Sequence, residues 1–347
     1  MQETVSQRTG HVLNSKLRKY LIPTIATALA LSLDEFVDSL LVANLLDLQA
    51  MTLISVASPI VLIIAAIYIL FGIGGSTLYA LNIGQRNTKA AGKAFGISLS
   101  TALMIAILIC ISGLSFLKPL SSFLSPDTSM QTELTLYLRV LFLTAPFIIG
   151  IQTLSGFLPA AGVPNISTLI CLIANVSNLV FDYVYIRFLH LGVSGTAYAT
   201  LTGYVICLIV LLVLLLRKKI HLYLTIPAWK DYRDLREVFA QGGATALGQI
   251  GYMVKYAFFN QLSMALGGTV ALQVFAVCRQ LISIMSIGLA GIADAVAPFM
   301  AALKGQKDNR GIKFVLRSGM IYITGISGGR SSVTFFQSAM QILLTSE

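Results

Sequence analysis

Nine long runs of apolar residues constrain the fold of this chain more than any other feature of its sequence. A helix rises about 1.5 Å per residue, so about 20 apolar residues cross a hydrocarbon layer that is about 30 Å thick. Inside lipid the backbone must satisfy its own polar groups, which favours helices. The runs therefore predict an all-α, polytopic membrane protein. They cover approximately residues 20–44, 52–81, 94–117, 133–157, 165–188, 194–216, 238–264, 271–302 and 314–343, the last interrupted by a polar stretch at 327–332.

Composition excludes several other classes of protein. Only 11% of the residues are charged, about half the share that is usual in a soluble domain. The net charge of +10 would suit nucleic acid, but the basic residues lie in short segments between the apolar runs, so nucleic-acid binding is not expected. The four cysteines lie inside apolar runs without C-x-x-C spacing and the three histidines lie far apart. We therefore expect no disulfide framework, no metal cluster and no resident cofactor.

The distribution of lysine and arginine predicts the orientation in the membrane. Alternate connections are rich in basic residues, and the intervening ones contain only Lys118. The positive-inside rule then places the N-terminus in the cytoplasm, most simply at a bacterial inner membrane. A basic start followed by Ala28 and Ala30 is also typical of a signal peptide, but the apolar run continues to Leu46. The basic connections are 1–19, 82–93, 217–237 and 304–313.

An internal repeat divides the chain. Leu17-Arg18 followed by Ala26-Thr-Ala-Leu29 recurs at an offset of 218 residues, Gly84-Gln-Arg-Asn87 recurs as Gly305-Gln-Lys-Asp308 at 221, and Leu124-Ser-Pro-Asp127 aligns with Leu344-Thr-Ser-Glu347 at 220. Many transporters use such repeats to build a site between two halves. We expect two parallel six-helix repeats, of which the second contains about three helices. The predicted parts are a cytoplasmic segment 1–19, a first bundle 20–216, a cytoplasmic linker 217–237 and a partial second bundle 238–347.

Ionisable side chains inside the apolar runs are the candidate functional residues. A carboxylate in the membrane costs roughly 2.5 to 3.5 kcal/mol on insertion scales, so a chain that keeps one usually uses it. Asn178 and Asp182 are four residues apart and share a helix face. Asp34 and Asp38 share another, with Glu35 turned away. Solvation at the interface is the alternative for the first-span acids, and packing is the alternative for Asn178.

The motifs in these runs resemble those of the multidrug and toxic compound extrusion (MATE) transporters. The similarity covers roughly residues 15 to 325. In the second half it rests on Gly288-Leu289, Pro298 and the polar connection after Leu303. In the first half it rests on Phe36-Val-Asp38, Gly72-Ile-Gly-Gly75, Asn82-Ile-Gly-Gln85, Gly156 through Pro164, Asn178-x-x-x-Asp182 and Leu191-Gly-Val-Ser-Gly-Thr-Ala197.

The resemblance implies a transporter and not an enzyme. It implies export of organic cations or amphipathic drugs in exchange for protons or sodium ions, by alternating access of two bundles and without an obligate protein partner. By the same resemblance Asp38, Asn178 and Asp182 form a cation site, which Thr200 can join. Carboxylate, amide and hydroxyl oxygens suit sodium as a hard cation, and a carboxylate can carry a proton. Thr200 has a simpler alternative, a bond to its own preceding helical turn.

The second half lacks a carboxylate at the position equivalent to Asp38, which aligns with Tyr256 or Phe259. The span 238–264 instead carries Lys255, whose charge would repel a cationic substrate unless an acidic partner such as Asp294 faces it. We therefore expect the first bundle alone to couple ion movement to transport.

Three alternatives remain open at this stage. A lipid-linked oligosaccharide flippase would need arginines in its cavity for the diphosphate, and mid-span arginine is limited to Arg139 and Arg279. An intramembrane aspartyl protease would need Gly-x-Gly-Asp, whereas Leu-Val-Phe precedes Asp182 and Gly-Ile-Ala precedes Asp294. The third is a truncated chain without transport activity, because nine helices would leave the cavity open to lipid on one side.

Overall fold

The computed structural model describes residues 23, 45–46, 48–124, 128–217 and 222–327 of the 347. This part of the chain is helical and contains no strand. The predicted first span 20–44 and the end of the ninth lie outside the described residues, apart from Pro23. The helices are α1 (Leu48–Gly84), α2 (Thr88–Ser115), α3 (Leu117–Leu124), α4 (Thr128–Ala160), α5 (Pro164–Arg187), α6 (Ser194–Leu216), α7 (Leu235–Gly305) and α8 (Asn309–Ser327).

Five of these helices contain segments long and apolar enough to cross a membrane. They match the predicted spans 52–81, 94–117, 133–157, 165–188 and 194–216 to within a few residues, so the prediction of an all-α membrane protein is confirmed. The segments are Val56–Gly84, Thr88–Ser115, Gln131–Ala160, Pro164–Arg187 and Ser194–Leu216.

The core of the first bundle lies along one face of α1. Its buried residues recur every seven positions, at Ala50, Ala57, Ile64, Phe71 and Leu78. Seven residues are two helical turns, so these side chains form a single stripe. The stripe belongs to one apolar cluster with the buried residues of α4, which include Leu134, Leu138, Ala145 and Ile149. Helix α1 is therefore the packing surface for the rest of the bundle.

Helix α7 differs from the sequence prediction because it shows no break at 265–270. Its 71 residues are helical throughout, and this stretch contains glycines but no proline that would remove a backbone donor. Both ends of α7 nevertheless pack on the last part of α1: Gly242 on Leu70 and Gly74, and Ala302 on Gly84. A straight helix would separate residues 242 and 302 by about 90 Å. The chain must therefore reverse direction between them, as two spans would require.

The two repeats meet in a reciprocal contact. A Cβ added to Gly84 would collide with the carbonyl of Ala302, and one added to Gly305 would collide with that of Leu81. The offset of 221 residues converts one contact into the other, because it relates Gly84 to Gly305 and Leu81 to Ala302. The turns that follow are alike, because Arg86 and Lys307 have φ of 60° and 57°. These contacts relate the ends of α1 and α7 by an approximate two-fold axis.

The repeated turns also begin the next helices in the same way. Asn87 Oδ1 accepts a hydrogen bond from the Ala90 amide at 3.0 Å, and Asp308 Oδ1 accepts one from the Gly311 amide at 3.0 Å. Side-chain oxygens at these positions satisfy amides that the first helical turn leaves without partners. The repeat that the sequence indicates is thus present in local geometry as well as in residue identity.

Candidate functional site

The candidate site lies on α5 and α6, which form an antiparallel pair. Pro164 begins α5, where a missing amide proton costs nothing. Asp182 lies about five turns further along α5 and is only 1% exposed. Asn178 lies one turn before Asp182, and Thr200 on α6 faces Asn178. The structure therefore brings together three of the four residues that the resemblance to MATE transporters assigns to a cation site.

The side chain of Asn178 connects the other two residues. In one orientation of its amide, Nδ2 donates to Asp182 Oδ2 at 3.2 Å, while Oδ1 accepts from Thr200 Oγ1 at 3.1 Å and from the Thr200 backbone amide at 3.3 Å. This orientation suits an ionised Asp182, because a carboxylate accepts hydrogen bonds and does not donate them. Orientation is assigned from such networks, since the two amide ends have nearly the same shape.

The opposite orientation of the amide suits a different state of the carboxyl group. Nδ2 of Asn178 then donates to Thr200 Oγ1 at 3.1 Å, and Thr200 Oγ1 donates to the carbonyl of Thr196 at 3.0 Å. The amide oxygen now faces Asp182 Oδ2 at the 3.2 Å separation. Two oxygens at this distance need a proton or a cation near them. In this orientation Nδ2 also faces a second donor, the Thr200 backbone amide, at 3.3 Å, so the first orientation fits the neighbours of Asn178 better.

The donor set suits a small hard cation or a proton. It consists of one carboxylate, one amide and one hydroxyl, all of which offer oxygen. Among the described residues, no group of three or more histidine, cysteine, aspartate or glutamate side chains could hold a metal ion.

Other predicted site residues fall elsewhere. Asp34, Glu35 and Asp38 lie outside the described residues, and Asp294 lies in α7 with a side chain that is not described. Lys255 is exposed, and its Nζ lies 4.6 Å from the centroid of the Tyr252 ring. Whether Lys255 faces Asp294 therefore stays a prediction.

Two further polar contacts cross between spans near this site. Gln152 on α4 donates to the Tyr204 hydroxyl on α6 at 3.1 Å. The hydroxyls of Tyr185 on α5 and Thr202 on α6 lie 3.0 Å apart. None of these four residues was predicted from the sequence. Asn178 was identified by its i, i+4 spacing from Asp182, whereas Gln152 has no acid at that spacing, so its amide within an apolar run is the one signal that could have identified it.

A cavity of about 260 Å³ lies between the first bundle and α7. Several of its hydroxyl groups donate to main-chain carbonyls: Ser76 to Ile73 at 3.2 Å, Ser167 to Ser155 at 3.2 Å and Thr168 to Pro164 at 3.3 Å. Hydroxyls bonded in this way keep acceptor lone pairs. The cavity is lined by Ile73, Ser76, Thr77, Ser155, Gly156, Pro159, Ala160, Pro164, Ser167, Thr168, Ala297 and Pro298.

Among the described residues, the lining of this cavity includes no charged side chain. Arg139, one of the two mid-span arginines that a diphosphate-binding flippase could have used, is exposed on α4 and is not part of the lining.

Two multidrug export proteins are similar to this chain in sequence. The multidrug export protein MepA of Staphylococcus haemolyticus is 25% identical over 248 residues, which are 72% of this chain and 55% of that protein. MepA of Staphylococcus aureus is 24% identical over 288 residues, 81% of this chain and 63% of that protein. The chain thus spans about 55% to 63% of the length of these relatives.

Solved structures share the fold. A MATE protein in complex with MaL6 superposes with a TM-score of 0.84 at 22% identity, covering 90% of this chain and 70% of that one. A MOP superfamily transporter from Pyrococcus furiosus, described as having a binding pocket of reverse polarity that suggests a different function, gives a TM-score of 0.80 at 22% identity and the same coverage.

The family model agrees with both sets of relatives. The MatE model matches residues 23–184, which include α1, most of α5 and the Asn178–Asp182 pair. The MatE model therefore matches 162 of the 347 residues, and the relatives to which the chain is similar are multidrug export and MATE proteins.

Proposed function

We propose that this chain exports organic cations or amphipathic drugs in antiport with protons or sodium ions, and that its coupling ion binds in the first bundle. The observation that carries the proposal is the buried Asp182, with Asn178 on one side and Thr200 beyond it. A carboxylate is rarely kept within a membrane span unless it moves or binds a charge.

Coupling follows from the two orientations of the Asn178 amide. With Asp182 ionised, the amide nitrogen of Asn178 donates to the carboxylate and the amide oxygen accepts from Thr200. A proton or sodium ion on Asp182 removes that acceptor, and we propose that the amide then turns. Ion binding on α5 then changes a contact to α6. A ligand shifts a conformational equilibrium only by binding two states differently, and this contact supplies such a difference. Asp38, outside the described residues, is the proposed second carboxylate.

The cavity between the first bundle and α7 is the proposed place for cargo. Its described lining is mostly apolar, with hydroxyl oxygens that can accept hydrogen bonds, and includes no charged side chain. An amphipathic molecule bearing N–H groups meets both requirements. We further propose that the N-terminus is cytoplasmic, as the basic connections indicate.

Efflux from vesicles tests the proposal. The unaltered chain and an Asp182→Asn variant are reconstituted, loaded with a fluorescent organic cation and assayed while the proton and sodium gradients are collapsed in turn. We expect efflux that needs one of the two gradients and that Asp182→Asn abolishes. An Asp308→Asn variant, which keeps its helix-capping oxygen, is the matched control and should transport normally. Equal efflux by the unaltered chain and the Asp182→Asn variant would refute the proposed ion site.

A further inference from the structure

The linker between the two halves is fixed to the first bundle by its own backbone. Residues 222–228 form neither helix nor strand, and a 3-10 helix follows at Trp229–Asp234. The Thr225 amide donates to the Gly92 carbonyl on α2 at 3.3 Å. A Cβ on Gly92 would lie 3.1 Å from the Tyr223 carbonyl oxygen, and one on Gly96 would lie 3.1 Å from Pro227 Cδ. Two glycines on α2 thus make room for the linker.

Polar contacts hold the 3-10 helix in the same place. Lys93 Nζ lies 2.6 Å from Asp231 Oδ1, and the hydroxyls of Ser100 and Tyr232 lie 3.0 Å apart. Asp231 Oδ2 accepts from the Ala228 amide at 2.8 Å. The linker is therefore a docked segment with one side defined by α2.

Its other side is apolar and exposed. Exposure alternates along residues 224–228. Thr225 and Pro227 face α2, whereas Leu224 is 65% exposed and Ile226 is 87% exposed. Trp229, the next large apolar residue, is 92% exposed. Leu224, Ile226 and Trp229, here called the linker apolar face, would be costly to leave in water.

The position of this face on α2 indicates what covers it. The linker packs on Gly92, Gly96 and Ser100, which follow one another at helical spacing. The same side of α2 continues to Ile107 and Ile111, which are 51% and 60% exposed. Apolar residues exposed in the middle of a membrane span face lipid. The linker therefore lies on the lipid side of α2.

Its depth places it at the level of the headgroups. The α2 span is 28 residues long, whereas about 20 cross the hydrocarbon layer. The linker contacts residues 92 to 100, in the first half of the helix, and the excess length at this end extends into the interface. Tyrosine and tryptophan concentrate at this level of a bilayer because one end of each ring system is apolar and the other is polar. Trp229 and Tyr232 are such a pair, with ring centroids 6.1 Å apart.

The positive charge of the linker favours anionic lipids. Arg217, Lys230, Arg233 and Arg236 are exposed, and the exposed acids Asp234 and Glu237 offset only part of their charge. Basic residues next to a membrane span attract anionic headgroups.

We propose that the linker is an interfacial anchor: the linker apolar face enters the bilayer at the headgroup and acyl boundary, and the basic residues around it bind anionic lipid headgroups. The proposal does not depend on what the protein transports. It makes the linker part of the lipid-contacting surface of the first bundle.

Intrinsic fluorescence tests this directly, because Trp229 is the single tryptophan of the chain. The unaltered protein is reconstituted in phosphatidylcholine vesicles, with and without phosphatidylserine. Phosphatidylcholines brominated at shallow or deep acyl positions quench from the lipid side, and iodide quenches from water. We expect shallow bromines to remove most of the emission, deep bromines to remove less, and iodide to have little effect. Phosphatidylserine should reduce quenching by iodide further.

Two sets of variants separate the two parts of the proposal. Ile226→Asp should weaken quenching by brominated lipid, with helix content checked by circular dichroism. Joint replacement Lys230→Gln and Arg233→Gln should remove the effect of phosphatidylserine. Arg86→Gln, an exposed basic residue in the turn between α1 and α2, should keep that effect.

Two results would overturn the inference. Full quenching by iodide without quenching by bromine would place Trp229 in water. Protection from both quenchers would show that protein covers the linker apolar face.

Discussion

The hydroxyl of Thr200 on α6 lies 3.1 Å from the side-chain amide of Asn178 on α5, one helical turn from the buried carboxyl group of Asp182. Through Asn178, this contact connects Asp182, the residue that we propose binds the coupling ion, to helix α6. Its energetic and functional contributions can be measured separately.

A double-mutant cycle with Asn178→Ala and Thr200→Val should give a coupling free energy of about 0.6 kcal/mol and at most about 1.7 kcal/mol, as for hydrogen bonds between other membrane helices. Unfolding in mixed micelles measures it. The hydroxyl pair Tyr185 and Thr202 joins the same helices and is the control. Tyr185→Phe with Thr202→Val should show similar coupling and leave ion-coupled efflux intact. Loss of coupled efflux in the control pair as well would contradict a specific role for Asn178.

Adjacent glycines at the start of α7 should respond in opposite ways to alanine. A Cβ on Gly242 would collide with the Leu70 carbonyl of α1, whereas a Cβ on Gly243 meets no atom within 4 Å. Gly242→Ala should lower the free energy of unfolding by about 1 to 3 kcal/mol through overpacking. Gly243→Ala should be neutral or stabilise by up to about 1 kcal/mol, because alanine favours a helix. Equal effects would show that the two helices do not approach as closely as described.

The docked linker should remain ordered until strongly acidic pH. The hydrogen bond from Lys93, with a smaller contribution from the Ala228 amide, lowers the pKa of Asp231 below its ordinary value of 3.8. A lowered pKa in the folded state means that the stabilisation is fully present above the ordinary value and is lost as the pH falls through the folded-state value. Fluorescence anisotropy of Trp229 should therefore stay constant from pH 7 to about pH 4 and fall below that.

Replacement of Asp231 separates this contact from general acid unfolding. Asp231→Asn should lower the anisotropy of Trp229 already at pH 7, while Asp234→Asn, at an exposed neighbour, should not. An anisotropy that is the same in Asp231→Asn and the unaltered chain would mean that the backbone contacts with Gly92 suffice.

Lys255→Ala should leave transport unchanged. The lysine is exposed and lies over the Tyr252 ring one turn earlier on the same helix. An exposed cation–π contact contributes about 0.5 to 1 kcal/mol, so little stability is at stake. The efflux assay with Lys255→Ala measures this, and Lys255→Arg should behave alike. A marked loss of efflux in Lys255→Ala would favour the alternative in which Lys255 faces Asp294.

Local patterns predicted most of the helices. Apolar runs of 23 to 30 residues located the spans now seen in α1, α2, α4, α5 and α6, because lipid imposes both length and composition. The i, i+4 spacing placed Asn178 next to Asp182, and family resemblance supplied Thr200. The connection expected at 265–270 is helical in the structure, although the packing of Gly242 and Ala302 on α1 requires the chain to reverse direction within α7. Glycines weaken a helix without the steric block that proline imposes.

Long-range partners could not be predicted in the same way. In the sequence, Lys93 is one of several basic residues that predict the orientation in the membrane. Its partner Asp231 is 138 residues away. No sequence pattern around Gly92 and Gly96 predicts that the linker packs against them. Such contacts depend on how helices are arranged, which single-chain periodicity does not contain.

The reciprocal packing of Gly84 on Ala302 and of Gly305 on Leu81 has a mechanical consequence. Atoms close to a two-fold axis keep their neighbours when the related halves rock symmetrically, and displacement grows with distance from it. The contacts at Gly84 and Gly305 then stay in place while the two halves move, and Ser76 and Pro298, which line the cavity further from the axis, are displaced. A bulky side chain at Gly84 or Gly305 would push α1 and α7 apart and change the angle between the two halves.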